Sequence, residues 1–138
     1  MKIYFAGSIR GGRDDKEVYF QLIEHLHRYG EVLTEHVGDK KLTSYWENNR
    51  SDSQIYDRDV SWIEESDICI AEVSTPSLGV GYEIAHAEHL GKKILCLYRN
   101  QEGKRVSAMI NWSQKIKVVT YNTTQEAIKY IDEFFLVI

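Results

Sequence analysis

The sequence predicts an α/β protein in which helices cover both faces of a parallel β-sheet. Five short apolar runs alternate along the chain with longer stretches whose apolar residues recur at helical spacing. Polar or glycine residues follow the apolar runs, as expected where strands end at a ligand-binding edge. Together these observations favour a doubly wound, five-stranded parallel sheet of the flavodoxin-like or Rossmann-like type.

Each element follows from a local pattern. The predicted strands are 2–6, 31–34, 67–73, 93–98 and 116–121. The predicted helices are 14–29, 51–65, 79–90, 107–111 and 124–135. Gly30 is the expected stop signal of the first helix, and the Ser51-to-Gln54 spacing forms a capping box at the start of the second. Residues 38–50 are polar and aperiodic, which predicts a loop.

Size and composition limit the possible functions. With 138 residues, the chain is expected to form one catalytic domain spanning 1–138. A net charge of −4 argues against a nucleic-acid-binding surface, and the sequence has neither a long apolar run nor a basic and apolar leader. Cys69 and Cys96 lie in predicted strands, where free and inert thiols are expected. We therefore expect a cytoplasmic protein that binds neither membrane nor nucleic acid.

Two glycine-containing turns are predicted at the carboxyl edge of the sheet. The turn 7–12 does not end in the Gly-Lys-Ser/Thr of a P-loop, and Gly79-Val80-Gly81 has Ile84 where a dinucleotide fingerprint needs a third glycine. Both are expected to be tight turns that let backbone N–H groups approach an anion. Because Ser77 precedes a helix N-terminus, a phosphate is a suitable ligand there.

Two carboxylates are candidates for chemistry. Glu83 is expected in the first turn of its helix, where it either only complements the helix dipole or faces a ligand; the neighbouring Ser77 and glycines favour a ligand. Asp59 falls within the apolar stripe of its own helix, so it lies either on a rim or in a polar pocket. Paired carboxylates with separate roles are typical of glycosidic bond cleavage.

The five histidines do not form a recognisable metal site, and no metal or cofactor is predicted. His86 and His89 share a helix without a third ligand, and a solvated face is the simpler interpretation. His36 is the exception in position, because it follows a predicted strand and lies within reach of the expected pocket.

With these features established, the chain resembles the 2′-deoxynucleoside 5′-monophosphate N-glycosidases, relatives of the nucleoside 2-deoxyribosyltransferases. The matching stretches cover most of the chain: 4–13, 32–37, Asp59 before Trp62, 71–73 leading through 76–83, 94–97 and 107–110. The resemblance implies hydrolysis of the N-glycosidic bond to a free base and 2-deoxyribose 5-phosphate, without a cofactor.

The resemblance also implies residue roles. Glu83 matches the nucleophile that forms a covalent deoxyribosyl intermediate, Asp59 the second carboxylate, and Tyr4 the residue at the sugar end that refuses a 2′-hydroxyl. The substrate-binding positions are Gly7, Ser8, Ile9, Arg10, Gly11, His36, Ser77, Gly79, Ser107 and Met109. Ser107 matches a phosphate ligand supplied by a partner subunit, so the resemblance implies a homodimer.

Three alternatives remain. A deoxyribosyltransferase uses the same intermediate with a second base as acceptor, but Ser77 and Ser107 favour a phosphorylated substrate. A ribonucleotide hydrolase of the CMP-cleaving type has Phe at the position of Tyr4, so Tyr4 favours a deoxynucleotide. A non-catalytic nucleotide sensor could dispense with Glu83 and Asp59, and the presence of both weakly disfavours it.

Overall fold

Five parallel strands form one sheet in the computed structural model, which describes residues 1–9, 15–38 and 49–138. The strands are β1 (Lys2–Ala6), β2 (Glu31–Val32), β3 (Ile68–Glu72), β4 (Lys93–Arg99) and β5 (Ile116–Tyr121). Their order is β2-β1-β3-β4-β5, and every neighbouring pair is parallel. This is the flavodoxin-like strand order, and it confirms the predicted fold class.

Helices cover both faces of this sheet. They are α1 (Lys16–Leu26), α2 (Asp52–Glu65), α3 (Leu78–His89), α4 (Ala108–Asn111) and α5 (Thr124–Phe135), with a 3-10 helix at Glu35–Gly38. One core layer joins β-strand residues such as Phe5 and Ile70 to α1 and α5. The other joins Tyr4 and Cys69 to α2 and α3. Alternate residues of each strand therefore face different helix layers.

Most element boundaries agree with the sequence prediction. The capping box of α2 forms as expected: the Ser51 hydroxyl accepts from the Gln54 N–H, and the Gln54 side chain accepts from the Ser51 N–H. Cys69 and Cys96 are free and buried, also as predicted. None of the described helices combines the length and apolar character that a membrane span needs.

Two elements, β2 and α1, are shorter than the sequence predicts. Strand β2 ends at Val32 because the Thr34 hydroxyl bonds both the N–H and the C=O of Phe5, at 2.8 and 2.7 Å, where a longer β2 would pair. Helix α1 ends at Leu26, before the predicted end at residue 29. Gly30 lies beyond it, where a Cβ would come within 2.1 Å of the Met1 carbonyl oxygen, so this position requires glycine for close packing.

Candidate active site

The structure brings together Tyr4, Asp59 and Glu83, from β1, α2 and α3. The Tyr4 side chain is only 2% exposed, and its hydroxyl lies close enough to the Glu83 carboxylate for the two groups to interact electrostatically. Burial raises the pKa of Tyr4 far above its usual range, and the negative charges of Glu83 and then Asp59 raise it further. Tyr4 therefore keeps its hydroxyl proton beside the Glu83 carboxylate.

Glu83 does not lie where the sequence analysis expected it. Helix α3 begins at Leu78, after the N-cap residue Ser77, so Glu83 is the sixth residue of the helix and belongs to its second turn. The influence of a helix dipole falls off within the first turn. The prediction that the helix terminus holds Glu83 is therefore wrong, and the Tyr4 hydroxyl is the neighbour whose interaction with Glu83 the structure supports.

Asp59 occupies a partly buried position rather than an exposed rim. Its side chain is 19% exposed and accepts a hydrogen bond from the Arg58 Nε at 2.8 Å, while its charge acts on Tyr4. The Arg58 guanidinium in turn lies 5.0 Å from the centre of the Trp62 ring, and His36 packs against that ring at 5.5 Å. Asp59 is therefore partly buried next to a polar neighbour, Arg58. The sequence analysis missed Arg58, although a basic neighbour of Asp59 was a visible signal.

The turn after β1 approaches the same edge. A Cβ on Gly7 would lie 3.0 Å from the Tyr19 ring and 3.1 Å from Val37, so a larger residue is disfavoured there. The Ser8 N–H donates to the Tyr19 hydroxyl at 3.1 Å, whereas the fully buried Ser8 Oγ has no protein partner in the described part of the chain. A buried hydroxyl of this kind is available to a ligand. Ile9 packs against the core, and the predicted Arg10 and Gly11 lie outside the described residues.

The second turn leads into α3. The Ser77 hydroxyl caps the helix by accepting from the Val80 N–H at 3.3 Å. Gly79 and Gly81 belong to the first helical turn rather than to a tight turn, which corrects the sequence prediction. No described atom lies within 4 Å of a Cβ added to Gly81, and at Gly79 only the Ser77 Oγ does, at 3.8 Å. The first turn of α3 is therefore open to a ligand.

A groove of about 810 Å³ lies between this turn and the segment that precedes α4. The predicted binding residues Ser77, Ser107 and Met109 line it, and Lys104 and Arg105 add positive charge. Ser107 is the N-cap of α4, with its hydroxyl accepting from the Met109 N–H at 3.3 Å. Tyr4, Asp59 and Glu83 are not among the groove's lining residues, but α3 borders the groove at Val80 and Gly81. The groove therefore begins one helical turn before Glu83.

A buried polar network is the feature that sequence analysis missed most completely. It connects Glu72 at the end of β3 with Ser74 and Tyr121, and Arg99 with the buried Asp15. The signal for Glu72 was a carboxylate directly after the apolar run 68–71, where a buried charge requires partners.

No group of three or more His, Cys, Asp or Glu side chains suited to a metal ion occurs among the described residues. The chemistry offered by Tyr4, Asp59 and Glu83 is acid–base and nucleophilic chemistry by carboxylates.

Carboxylates gathered beside an anion-receptive turn, at the ligand-binding edge of a flavodoxin-like sheet, are typical of enzymes that cleave glycosidic bonds of phosphorylated nucleosides. Comparison with known sequences is consistent with this class. The chain belongs to the nucleoside 2-deoxyribosyltransferase family, which it matches over residues 3–133.

Individual relatives lie within the same group. A 5-hydroxymethyl-dUMP N-hydrolase of Tetraodon nigroviridis is 52% identical over 111 residues, covering 80% of this chain and 78% of the relative. A Trichoplax adhaerens protein, provisionally named 2′-deoxynucleoside 5′-phosphate N-hydrolase 1, is 46% identical over 138 residues, covering 98% and 93%. The solved structure of Clostridium botulinum CMP N-glycosidase, BcmB, superposes with a TM-score of 0.69 at 23% identity, covering 96% of this chain and 99% of that one. The last comparison supports the fold.

Proposed function

We propose that this chain hydrolyses the N-glycosidic bond of 2′-deoxynucleoside 5′-monophosphates, releasing a free base and 2-deoxyribose 5-phosphate. The observation that carries the proposal is the grouping of the two carboxylates, Glu83 and Asp59, around the buried Tyr4 hydroxyl. Relatives about half identical over most of the chain are named as N-hydrolases of such nucleotides. The family match and the two carboxylates favour an enzyme over a silent sensor.

The first step is attack on the sugar. A Glu83 carboxylate oxygen forms a bond to the anomeric carbon C1′ while the bond from C1′ to the base nitrogen breaks. The departing base takes the bonding electron pair together with a proton, which Asp59 delivers after taking it up from the solvent when the substrate binds. The product is a covalent deoxyribosyl–Glu83 ester and a neutral free base.

The second step hydrolyses the covalent intermediate and returns the enzyme to its starting state. A water molecule attacks C1′, and the bond from C1′ to the Glu83 oxygen breaks, so that Glu83 leaves as a carboxylate. Asp59 accepts the proton of the attacking water and is ready for the next cycle. Throughout both steps the Tyr4 hydroxyl keeps its proton beside the Glu83 carboxylate.

Substrate selection follows from the surroundings of the carboxylates. Tyr4 sits at the sugar end, where we assign to it the exclusion of a 2′-hydroxyl. The 5′-phosphate is held by the open first turn of α3 at Ser77 and Gly79, the unpartnered hydroxyl of Ser8, and the loop residues Arg10 and Gly11. His36 and Met109 contribute to the walls around the nucleotide.

A homodimer is part of the proposal, with Ser107 of one subunit completing the phosphate site of the other. Three large apolar side chains support it because they are mostly exposed next to the groove: Leu78, Met109 and Trp112, at 97%, 85% and 80%. Apolar patches of this kind on a single chain are typical of association surfaces. We also propose that the protein acts in the cytoplasm on small molecules, because its two buried cysteines are free thiols.

A second candidate is deoxyribosyl transfer, which the name of the family favours. The two reactions share the covalent intermediate and differ in whether water or a second base attacks it. Chromatography of the purified protein with deoxymonophosphates, ribomonophosphates and deoxynucleosides, with and without a free acceptor base, separates them. Free base from the deoxymonophosphates alone supports the hydrolase, a new nucleoside indicates the transferase, and cleavage of GMP would refute the deoxy selectivity.

A further inference from the structure

Glu72, the last residue of β3, accepts three hydrogen bonds although it is completely buried. Its Oε1 accepts from the Tyr121 hydroxyl at 2.9 Å and from the Ser74 hydroxyl, and its Oε2 accepts from the Ser74 N–H at 3.3 Å. Two of these three bonds come from one residue. The carboxylate therefore fixes both the backbone and the side chain of Ser74, the second residue after the strand.

Two further parts of the fold hold the same turn: strand β4, through Arg99, and the start of α1, through Asp15. The Ser74 hydroxyl accepts from the Arg99 N–H of β4 at 2.7 Å, which leaves its own hydrogen for Glu72. The Arg99 guanidinium pairs with the buried carboxylate of Asp15, which also accepts from the Thr75 hydroxyl at 2.8 Å. Because Asp15 directly precedes α1, the network also connects the turn after β3 with the start of that helix.

This network does not touch the carboxylates of the proposed reaction. Cys69 and Ala71 of β3 face the layer that contains Tyr4, whereas Ile70 faces α1 and α5. Glu72 follows Ile70 by two residues and bonds Tyr121 of that same layer, so it lies on the opposite side of the sheet from Glu83. What it reaches is the turn from Ser74 to Ser77.

We propose that Glu72 is a positioning residue for phosphate binding: its ionised carboxylate fixes Ser74 and thereby aligns the turn that presents Ser77 and the first N–H groups of α3. This inference rests on the proposed function in one respect, the assignment of the substrate phosphate to that turn. Glu72 acts on substrate affinity through Ser74 and takes no part in bond cleavage.

The protonation state of the Glu72 carboxyl determines how firmly Glu72 holds the Ser74 turn. Burial raises the pKa of Glu72 to about 7; the hydrogen bonds from Ser74 and Tyr121 oppose the rise, and the charge of Asp15 adds to it. Arg99 on β4 faces the group with the opposite charge. The ionised carboxylate accepts all three hydrogen bonds, whereas a protonated oxygen becomes a donor and one of them is lost. Phosphate affinity should therefore weaken as the pH falls through neutrality.

Glu72→Gln tests this, with Glu24→Gln on the exposed surface of α1 as the matched control. For each protein, kcat and KM are measured for the monophosphate and for the unphosphorylated deoxynucleoside. The Kd of a deoxynucleoside monophosphate is measured by calorimetry with the additional Glu83→Gln substitution, so that the ligand is not consumed. At about pH 8 we expect Glu72→Gln to raise Kd and KM for the monophosphate about tenfold, with kcat changed less than about twofold. Glu24→Gln and the unphosphorylated substrate should show no such change.

The pH profile separates positioning from general destabilisation. The ratio of the variant's Kd to that of the wild type should fall toward one at about pH 6, because the wild-type Glu72 is then itself protonated. Titration of the substrate phosphate is common to both proteins and cancels in this ratio. A ratio that stays constant with pH, or a kcat that falls while Kd does not change, would overturn the proposal.

Two further arms keep the test decisive. If Glu72→Gln does not fold, Ser74→Ala removes only the hydroxyl link to Glu72. This variant should raise Kd severalfold and weaken its pH dependence, because Glu72 then reaches the turn only through the Ser74 N–H; an unchanged Kd would overturn the proposal. If the wild type binds the monophosphate but releases no base, the proposed function fails while calorimetry still decides the role of Glu72. A wild type that binds no monophosphate overturns both.

Discussion

The hydroxyl of the buried Tyr4 on β1 lies beside the carboxylate of Glu83 on α3. A hydrogen bond to a charged group is about twice as strong as one between neutral groups, and a low-dielectric site strengthens it further. Burial and the neighbouring carboxylates keep the Tyr4 pKa high, so the donor persists at every pH at which the protein is folded. One tyrosine therefore both orients the proposed nucleophile and borders the proposed sugar site.

Tyr4→Phe should separate these two roles. Loss of the hydroxyl should lower kcat/KM for a deoxymonophosphate about tenfold, because Glu83 is no longer held for attack. The vacated space should also admit a 2′-hydroxyl, so the preference for deoxy over ribo substrates should narrow. Steady-state kinetics with dGMP and GMP measure both effects, and Tyr130→Phe on α5 is the control. An unchanged ratio of the two kcat/KM values would show that Tyr4 does not select the sugar.

Glu83→Gln should abolish turnover while keeping the substrate site. Glutamine preserves the size of the side chain and can still accept from Tyr4, but it is not a nucleophile. We expect kcat to fall at least about a thousandfold, with the Kd of the monophosphate changed by less than about threefold. Mass spectrometry of rapidly quenched wild type should detect an added deoxyribose phosphate that the variant lacks. Turnover of the variant at the original rate would eliminate the covalent mechanism.

The strands and the capping box of α2 were predictable because their signals are local. The apolar runs of β1, β3 and β5 and the Ser51 capping box each lie within one short segment. The sequence analysis assigned Glu83 to the first turn of α3, whereas it lies in the second. The helix begins directly after the Ser77 cap, before its apolar stripe, because its first residue Leu78 is almost fully exposed. Periodicity marks the buried part of a helix rather than its first residue.

The Glu72 network could not be predicted for a different reason. Asp15, Glu72, Arg99 and Tyr121 come from four separate segments, and their contacts depend on the strand order and on which face each side chain takes. Composition and spacing along the chain contain none of that information. By contrast, Asp59 and Glu83 were singled out by their positions on predicted helices, and the family resemblance added Tyr4. The structure shows that Tyr4 and Glu83 interact.

Asp59→Asn should remove proton transfer to the departing base. Asparagine keeps the shape of the side chain but cannot deliver a proton, so kcat/KM should fall by about 10² to 10⁴. A substrate whose base leaves readily without a proton should lose much less, and this contrast assigns the role. Asp57→Asn, an exposed neighbour on the same helix, is the control and should be indistinguishable from wild type. Equal losses for good and poor leaving groups would assign Asp59 to another step.

Mixing two defective variants should reveal whether Ser107 acts across a dimer. In a heterodimer of Glu83→Gln and Ser107→Ala chains, one site would combine an intact Glu83 with an intact Ser107 from the other chain. Refolding an equal mixture should therefore restore about a quarter of the wild-type activity, because half of the dimers carry one complete site. If Ser107 serves its own chain, mixing restores nothing. Trp112→Glu should shift sedimentation toward the monomer and abolish the restoration.

Glu72 should also make stability depend on pH in a defined direction. The pKa of Glu72 is about 7 in the folded state and about 4.3 in the unfolded state, so the folded state binds the proton more tightly. This tighter binding stabilises the fold fully below the unfolded pKa. The stabilisation is lost as the pH rises through about 7. The free energy of unfolding of the wild type, relative to that of Glu72→Gln, should therefore decrease by up to about 3 kcal/mol between about pH 4 and pH 8. Urea denaturation at several pH values measures this difference, in which the remaining carboxyl groups cancel. A difference that does not change with pH would mean that Glu72 has an ordinary pKa and that the support of Ser74 does not titrate near neutrality.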